Sequence, residues 1–309
     1  EMCIRDSLGR TRNAFGAISC VDVDRAALAC FARVDTCIFV PMMATRGAAL
    51  RLSTIINRGN KMPLLRTNSK LVKTSGSAPR YTITGLTLAP HGLSGHQVCA
   101  GRSTGCAAAC NLWFAGQRVT PNARNRAIAD TRALFADRKR FVAQLNRDIA
   151  NFVALAERQQ LIPLIRLNVA SDLEWFDVID RWSEVQFYDY TKIRARFARY
   201  LAGKLPANYA LTFSRHEKHH GATIRSYLNR GGNVAQVFDV DYYPAVGRVG
   251  DLPKSAIVHG KRFRVIDGDQ HDVRLPAVDG RGVIVGLRLK GTNAAKQRGR
   301  MSGFAMGAE

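Results

Sequence analysis

Downstream of residue 160 the chain alternates short β-rich runs with stretches of helical pattern, and few folds accept that rhythm. Residues 161–168 (LIPLIRLN), 185–190 (VQFYDY), 209–214 (YALTFS) and 233–240 (NVAQVFDV) are predicted strands. Between them, residues 172–182, the basic stretch 192–202 and residues 222–229 are predicted helices, the last stopped by Gly231 and Gly232. Residues 263–266 and 282–289 add two strands, and 81–89 (YTITGLTLA), ended by Pro90, comes first. Strands separated by helices pair in parallel, because a parallel connection needs a crossover long enough to hold a helix. The seven strands predict an incomplete TIM-like (β/α) barrel, with a doubly wound sheet as the second reading.

Upstream, Thr120 and Pro121 supply a cap and a proline at the first helical position. Residues 122–160 then follow a helical pattern with a break near Asp137. Phe141, Leu145, Ile149, Phe152, Val153 and Ala156 fall on one face, and Arg138, Lys139, Arg140, Arg147 and Arg158 on the other. The first 61 residues hold no sustained period. Residues 1–7 (EMCIRDS) resemble a translated sequencing adaptor, and 1–61 is expected to be translated flanking DNA, disordered or poorly folded. Residues 62–309 are expected to form a single domain, since no Gly/Ser or Pro linker divides them. The tail from Thr292 onward is expected to be loosely ordered.

The chain carries 46 Lys+Arg against 24 Asp+Glu. Residues 1–61 hold nine of the basic and five of the acidic groups, which leaves 37 against 19 in 62–309, a net charge of +18. Such an excess favours anionic partners: nucleic acid, nucleotides or other phosphorylated compounds. No apolar run approaches the roughly 18 residues of a membrane span, so no membrane partner is expected. A cytoplasmic location in a bacterial host follows from clustered cysteines without an export signal.

Cys99, Cys106 and Cys110 stand in a C-x6-C-x3-C loop directly after the first strand, with no cysteine downstream. Three thiols in so short a window point to a metal or cluster site, where thiolates converge on one centre. Three ligands leave one position of a [4Fe–4S] cubane open for chemistry. The alternative is zinc, with His96 or His91 closing a four-ligand structural site. The bland reading is three buried thiols in an Ala/Gly-rich turn.

In parallel α/β folds the site lies at the carboxyl ends of the strands. Here those ends carry polar residues. Tyr188, Asp189, Lys192, Asp267 and Asp269 are the candidates for catalysis. Arg166, Asn168, Ser171, Asp172, Ser214 and Arg215 are the candidates for binding a cofactor. Arg166, Lys192, Arg215, Arg288 and Lys290 suit a phosphate or carboxylate. Bland readings compete: Asp267 and Asp269 flank Gly268 as turn residues would, the basic helix is a solvated face, and His216, His219 and His220 lie in an exposed loop. Tyr188 and Tyr190 alternate with Phe187 and Asp189, so one of the two sets must face the helices.

TGLTLAP, the cysteine loop, RLN-x2-SD, VQFYDYTK, LTFSR, GGNVA-x-VF, VIDGD and GVIVGL together resemble a phage- and plasmid-encoded gene-product family that brings no assigned activity. A three-cysteine loop after the first strand of an incomplete barrel is also similar to radical S-adenosylmethionine enzymes, although their usual spacing is C-x3-C-x2-C. That resemblance implies a [4Fe–4S] cluster on Cys99, Cys106 and Cys110 with S-adenosylmethionine as cosubstrate. Tyr188, Asp189, Asn168 and Asp172 would then bind its ribose and amino group. The rival function is a zinc-stabilised nucleic-acid-binding protein without catalysis.

Overall fold

The computed structural model describes residues 62–67, 80–110, 120–243 and 248–307; the expectations for 1–61 fall outside them. The described residues lie in one compact unit. Its strands are β1 (Leu65–Arg66), β2 (Tyr81–Leu86), β3 (Ile162–Arg166), β4 (Gln186–Thr191), β5 (Tyr209–Ser214), β6 (Val234–Tyr243), β7 (Arg248–Val249), β8 (Ser255–Val258), β9 (Lys261–Asp267) and β10 (Ile284–Leu289). Its helices are α1 (His91–Ser94), α2 (Thr104–Ala108), α3 (Pro121–Ala136), α4 (Arg138–Arg158), α5 (Phe176–Arg181), α6 (Arg194–Leu201), α7 (Gly221–Asn229), α8 (Pro276–Asp279) and α9 (Asn293–Met301). The fold is mixed α/β, with the sheet running β1-β2-β3-β4-β5-β6-β10-β9-β8 and β7 beside β6.

All seven predicted strands are present, and β2, β3, β4, β5, β6, β10 and β9 pair in parallel in that order. The short strands β1, β7 and β8 add antiparallel pairs to β2, β6 and β9. β10 inserts between β6 and β9, so the last two parallel strands lie out of chain order. The β8–β9 hairpin turns on His259 and Gly260, at φ 46° and 77°. Two positive φ values in a two-residue turn match the right-handed twist of the flanking strands.

Strand alternation sorts the side chains. Phe213 and Tyr209 face the helices: Phe213 packs on Phe197 of α6 and Tyr227 of α7, and Tyr209 on Phe176 of α5. Phe187, in register with Tyr209, and Asp189, in register with Leu211, share that face. Ile83, Leu164, Tyr188 and Ala210 cluster on the opposite face, where Val273 and Leu275 cover them. That face is therefore sealed by the segment between β9 and α8.

Asp137 breaks the long helical stretch as expected, because it ends α3 with an extended backbone and accepts from the Arg140 amide to start α4. Phe141, Leu145, Ile149, Phe152 and Ala156 are buried, but Val153 is half-buried and Leu155 is the sixth buried apolar residue. Three expectations need correction. The tail contains α9, capped by Thr292 and anchored by buried Ala295 and Lys296. The histidine loop is not wholly exposed, since His216 is buried with its ring 3.5 Å from that of His219. The basic helix α6 is not wholly solvated, because Arg196 is buried.

Candidate functional site

The cysteine loop crosses the carboxyl ends of three neighbouring strands. Past β3, the Asp172 amide donates to the Val98 carbonyl at 2.7 Å, and Cys99 Sγ lies 3.7 Å from the Ala170 carbonyl. Past β4, a Cβ on Gly101 would meet the Lys192 side chain at 2.9 Å, so glycine permits this close approach. Past β5, Glu217 accepts from Ser103 Oγ at 2.7 Å and from the Gly105 amide at 3.0 Å. Ser103 in turn caps α2 by accepting from the Cys106 amide. The far side of the loop rests on α9, where Arg298 Nε donates to the Ala108 carbonyl.

Cys99, Cys106 and Cys110 are each half-buried. Cys106 lies within α2, and Cys110 follows directly after its C-cap, Ala109. Burial pushes the Cys99 thiol up to about 12; Lys192 opposes the rise, and the charges of Asp172, Cys106 and Cys110 add to it. The sulfurs of Cys106 and Cys110 thus lie within electrostatic range of that of Cys99. Among the described residues, however, no three His, Cys, Asp or Glu side chains are placed to hold a metal ion. His96 stacks on Phe135 at 4.3 Å, and His91 is exposed at the start of α1.

Beside the loop, Asp172 accepts from the Lys192 amide at 2.8 Å and from Arg196 Nη1 at 2.5 Å. Lys192 Nζ donates to Ser214 Oγ at 2.6 Å. Arg215 Nη1 donates to Gln236 Oε1 at 2.7 Å, and burial alone lowers its guanidinium. His219 is pushed down to about 3 by burial and then by His216, Lys192, Arg194 and Arg215. Lys192, Ser214, Arg215 and the two histidines therefore form one cationic neighbourhood at the ends of β4 and β5.

The other candidates fall into three separate groups. On the helix face, Asp189 accepts from the Asn168 amide (2.7 Å), Asn168 Nδ2 (3.1 Å) and Tyr209 Oη (3.1 Å). Asn168 Oδ1 accepts from Ser171 Oγ. Burial outweighs the nearby Arg166 charge and these donors and raises Asp189 to about 7. On the opposite face, Arg166 Nη1 pairs with Asp272 at 2.9 Å, and its guanidinium carbon lies 4.7 Å from the Tyr190 ring centre. Tyr188 Oη lies 3.4 Å from the same Asp272 oxygen, and Arg274 pairs with Asp279 at 3.1 Å. Burial lowers the Arg166 guanidinium, but Asp272 and the tyrosines beside it leave it above the usual range. Around β9 and β10, Asp267 and Asp269 neutralise Arg288, and Asp269 also pairs with Lys290. The turn reading of Asp267 agrees with this geometry, since it accepts from the Asp269 amide.

The polar strand ends are thus divided among several hydrogen-bonded networks. Cys99, Cys106, Cys110, Asp172, Lys192, Ser214 and Arg215 gather near the loop. Asn168, Ser171 and Asp189 brace the β3–α5 turn, and Arg166 and Tyr188 belong to the sealed face. Asp267, Asp269, Arg288 and Lys290 form their own network. Sequence reasoning missed two supports: Glu217, latching the loop 112 and 114 residues away, and Arg196, whose helix position looked solvated. Nothing local signals either, because both partners are distant in sequence.

The family model described as gene product 88 matches residues 62–303, and the chain belongs to that family. Comparisons with curated proteins and with solved structures return no match. Among the described residues no helix is long and apolar enough to cross a membrane.

Proposed function

We propose that this gene product 88 family member is an iron–sulfur enzyme of radical S-adenosylmethionine type. We take its substrate to be a nucleotide, nucleic acid or other anion, met in the cytoplasm of a bacterial host. The observation that carries the reading is the position of the three-thiol loop over the carboxyl ends of β3, β4 and β5. In parallel α/β enzymes that edge holds the chemistry. On this reading the seven parallel strands are an incomplete (β/α) barrel.

The loop offers the three thiols that a cluster needs, with Lys192 opposing the rise of the Cys99 thiol, but as placed they do not yet converge on one centre. Loading requires the loop to tighten and Cys99 to lose its proton, which breaks its contact with Ala170. A bound [4Fe–4S] cluster with one open iron would supply an electron and a coordination position for the cosubstrate. The protein's own contributions are separate. Glu217 fixes the start of α2, and therefore Cys106. Asp172 ties the loop to the β3–α5 turn and, through Arg196, to α6. Lys192 keeps positive charge beside the thiols.

Anaerobic reconstitution with iron and sulfide tests the reading. The expected product is brown, carries about four irons per chain and cleaves S-adenosylmethionine under reduction. A colourless protein holding stoichiometric zinc and leaving S-adenosylmethionine intact would overturn it in favour of the zinc-stabilised binding protein.

A further inference from the structure

Most of the cations at the strand ends are paired, and two that are not stand side by side. Arg166, Arg196, Arg274, Arg288, Lys290 and Lys296 each lie within ion-pair distance of a carboxylate. Lys192 and Arg215 have no carboxylate partner among the described residues. Within 62–307, the stretches outside the description (68–79, 111–119 and 244–247) contain no Asp or Glu. Both cations stand at the carboxyl ends of neighbouring parallel strands, Lys192 just past β4 and Arg215 just past β5. Their partners are neutral: Ser214 Oγ for Lys192 at 2.6 Å, and the buried Gln236 side chain for Arg215 at 2.7 Å. Arg215 Nε is buried without a hydrogen-bond partner among the described residues, a donor whose acceptor is missing.

Two partly buried cations without an ion-pair partner among the described residues cost folding free energy unless something anionic completes them. Close by, His219 is neutral at physiological pH, because burial and the surrounding cations push its pKa to about 3. It therefore adds no further positive charge. A lysine point charge, a guanidinium fork and a serine hydroxyl on two strands suit an oxyanion with several separately directed oxygens.

We infer that Lys192, Ser214 and Arg215 form a phosphoryl-binding site at the carboxyl ends of β4 and β5. The inference deepens the proposed enzyme by naming the anionic group its substrate presents, and rests on that reading only for calling the ligand a substrate. The site itself needs no metal, so its test separates from that of the cluster.

The experiment is a calorimetric titration of the metal-free full-length chain with inorganic phosphate. Acetate serves as the carboxylate arm and sulfate as a control for shape. The expected result is saturable phosphate binding, weaker for acetate. Lys192→Gln and Arg215→Gln should each weaken it about ten-fold or more, as loss of a charge-assisted contact does. Lys139→Gln, on the exposed face of α4, should bind as the parent does. If Arg215→Gln does not fold, Arg215→Lys keeps the charge without the fork and should still lose affinity. Absence of saturable binding by the folded parent, stronger binding of acetate, or equal losses in all three glutamine variants would overturn the site.

Discussion

Asp189 makes the fold's pH dependence calculable. It is 1% exposed, and burial raises its pKa from 3.8 to about 7 despite three hydrogen-bond donors. Between those two values the native state holds a proton that the unfolded chain has released. Stability therefore falls as pH rises through the window, and the loss is complete above the folded value. A displacement of that size corresponds to about 4 kcal/mol. His219 works in the opposite sense: its folded value of about 3 lies below the ordinary 6.5, so stability is lost as pH falls through that range. The two slopes offset each other in the parent, so the informative quantity is a difference. Asp189→Asn removes one titration and leaves the other. Urea unfolding of both proteins at intervals from pH 4 to 8 should show the Asn variant gaining on the parent by about 3–4 kcal/mol across the series. Its absolute offset is separate, because the amide places a donor where two donors now converge. A difference that stays flat, or moves in favour of the parent as pH rises, would mean Arg166 and the three donors hold Asp189 ionised and would refute the reasoning.

Other substitutions probe the supports around the candidate site. Asp272→Asn strands the mostly enclosed Arg166 guanidinium and should cost about 3 kcal/mol by thermal or urea unfolding; a loss below about 1 kcal/mol would mean that the sealed face has rearranged. Glu217→Ala removes the acceptor for Ser103 and Gly105, so amide exchange at Gly105 and Cys106 should quicken about ten-fold or more while the core strands keep their protection. Unchanged exchange would dismiss the latch. Gly85→Ala places a Cβ 2.4 Å from Val169 Cγ2 and 2.9 Å from the Arg166 carbonyl oxygen, and should destabilise by about 1–3 kcal/mol in the same unfolding assay. A neutral result would show that the β3–α5 turn yields freely.

Local pattern made much of the fold legible. YALTFS forms β5 over the predicted residues, and Asp137 both ends α3 and starts α4, two roles that a short acceptor fits. The seven parallel strands follow from β-rich runs spaced by helices. The illegible parts depend on distant partners. α9 (NAAKQRGRM) has no apolar stripe; its Lys296 is buried because Tyr242 and Asp241 accept from it 54 and 55 residues away. β8 has only four residues, and the β10 insertion between β6 and β9 has no local signature. The polar run HDVRL resembles a surface loop, yet Asp272 and Arg274 find ion-pair partners that let Val273 and Leu275 close the sheet. The cysteine loop was legible as a strand-end feature. Tyr188 and Asp189 were grouped because they are adjacent in sequence, whereas alternation puts them on opposite faces of the sheet.

The central claim is that the thiols of Cys99, Cys106 and Cys110 hold iron. The measurement that tests it most directly is elemental analysis of the anaerobically purified full-length chain beside its three single Cys→Ala variants. The account predicts iron with matching acid-labile sulfide in the parent and loss of both in each variant. Iron-free parent protein, or variants that keep the parent's metal, would contradict it.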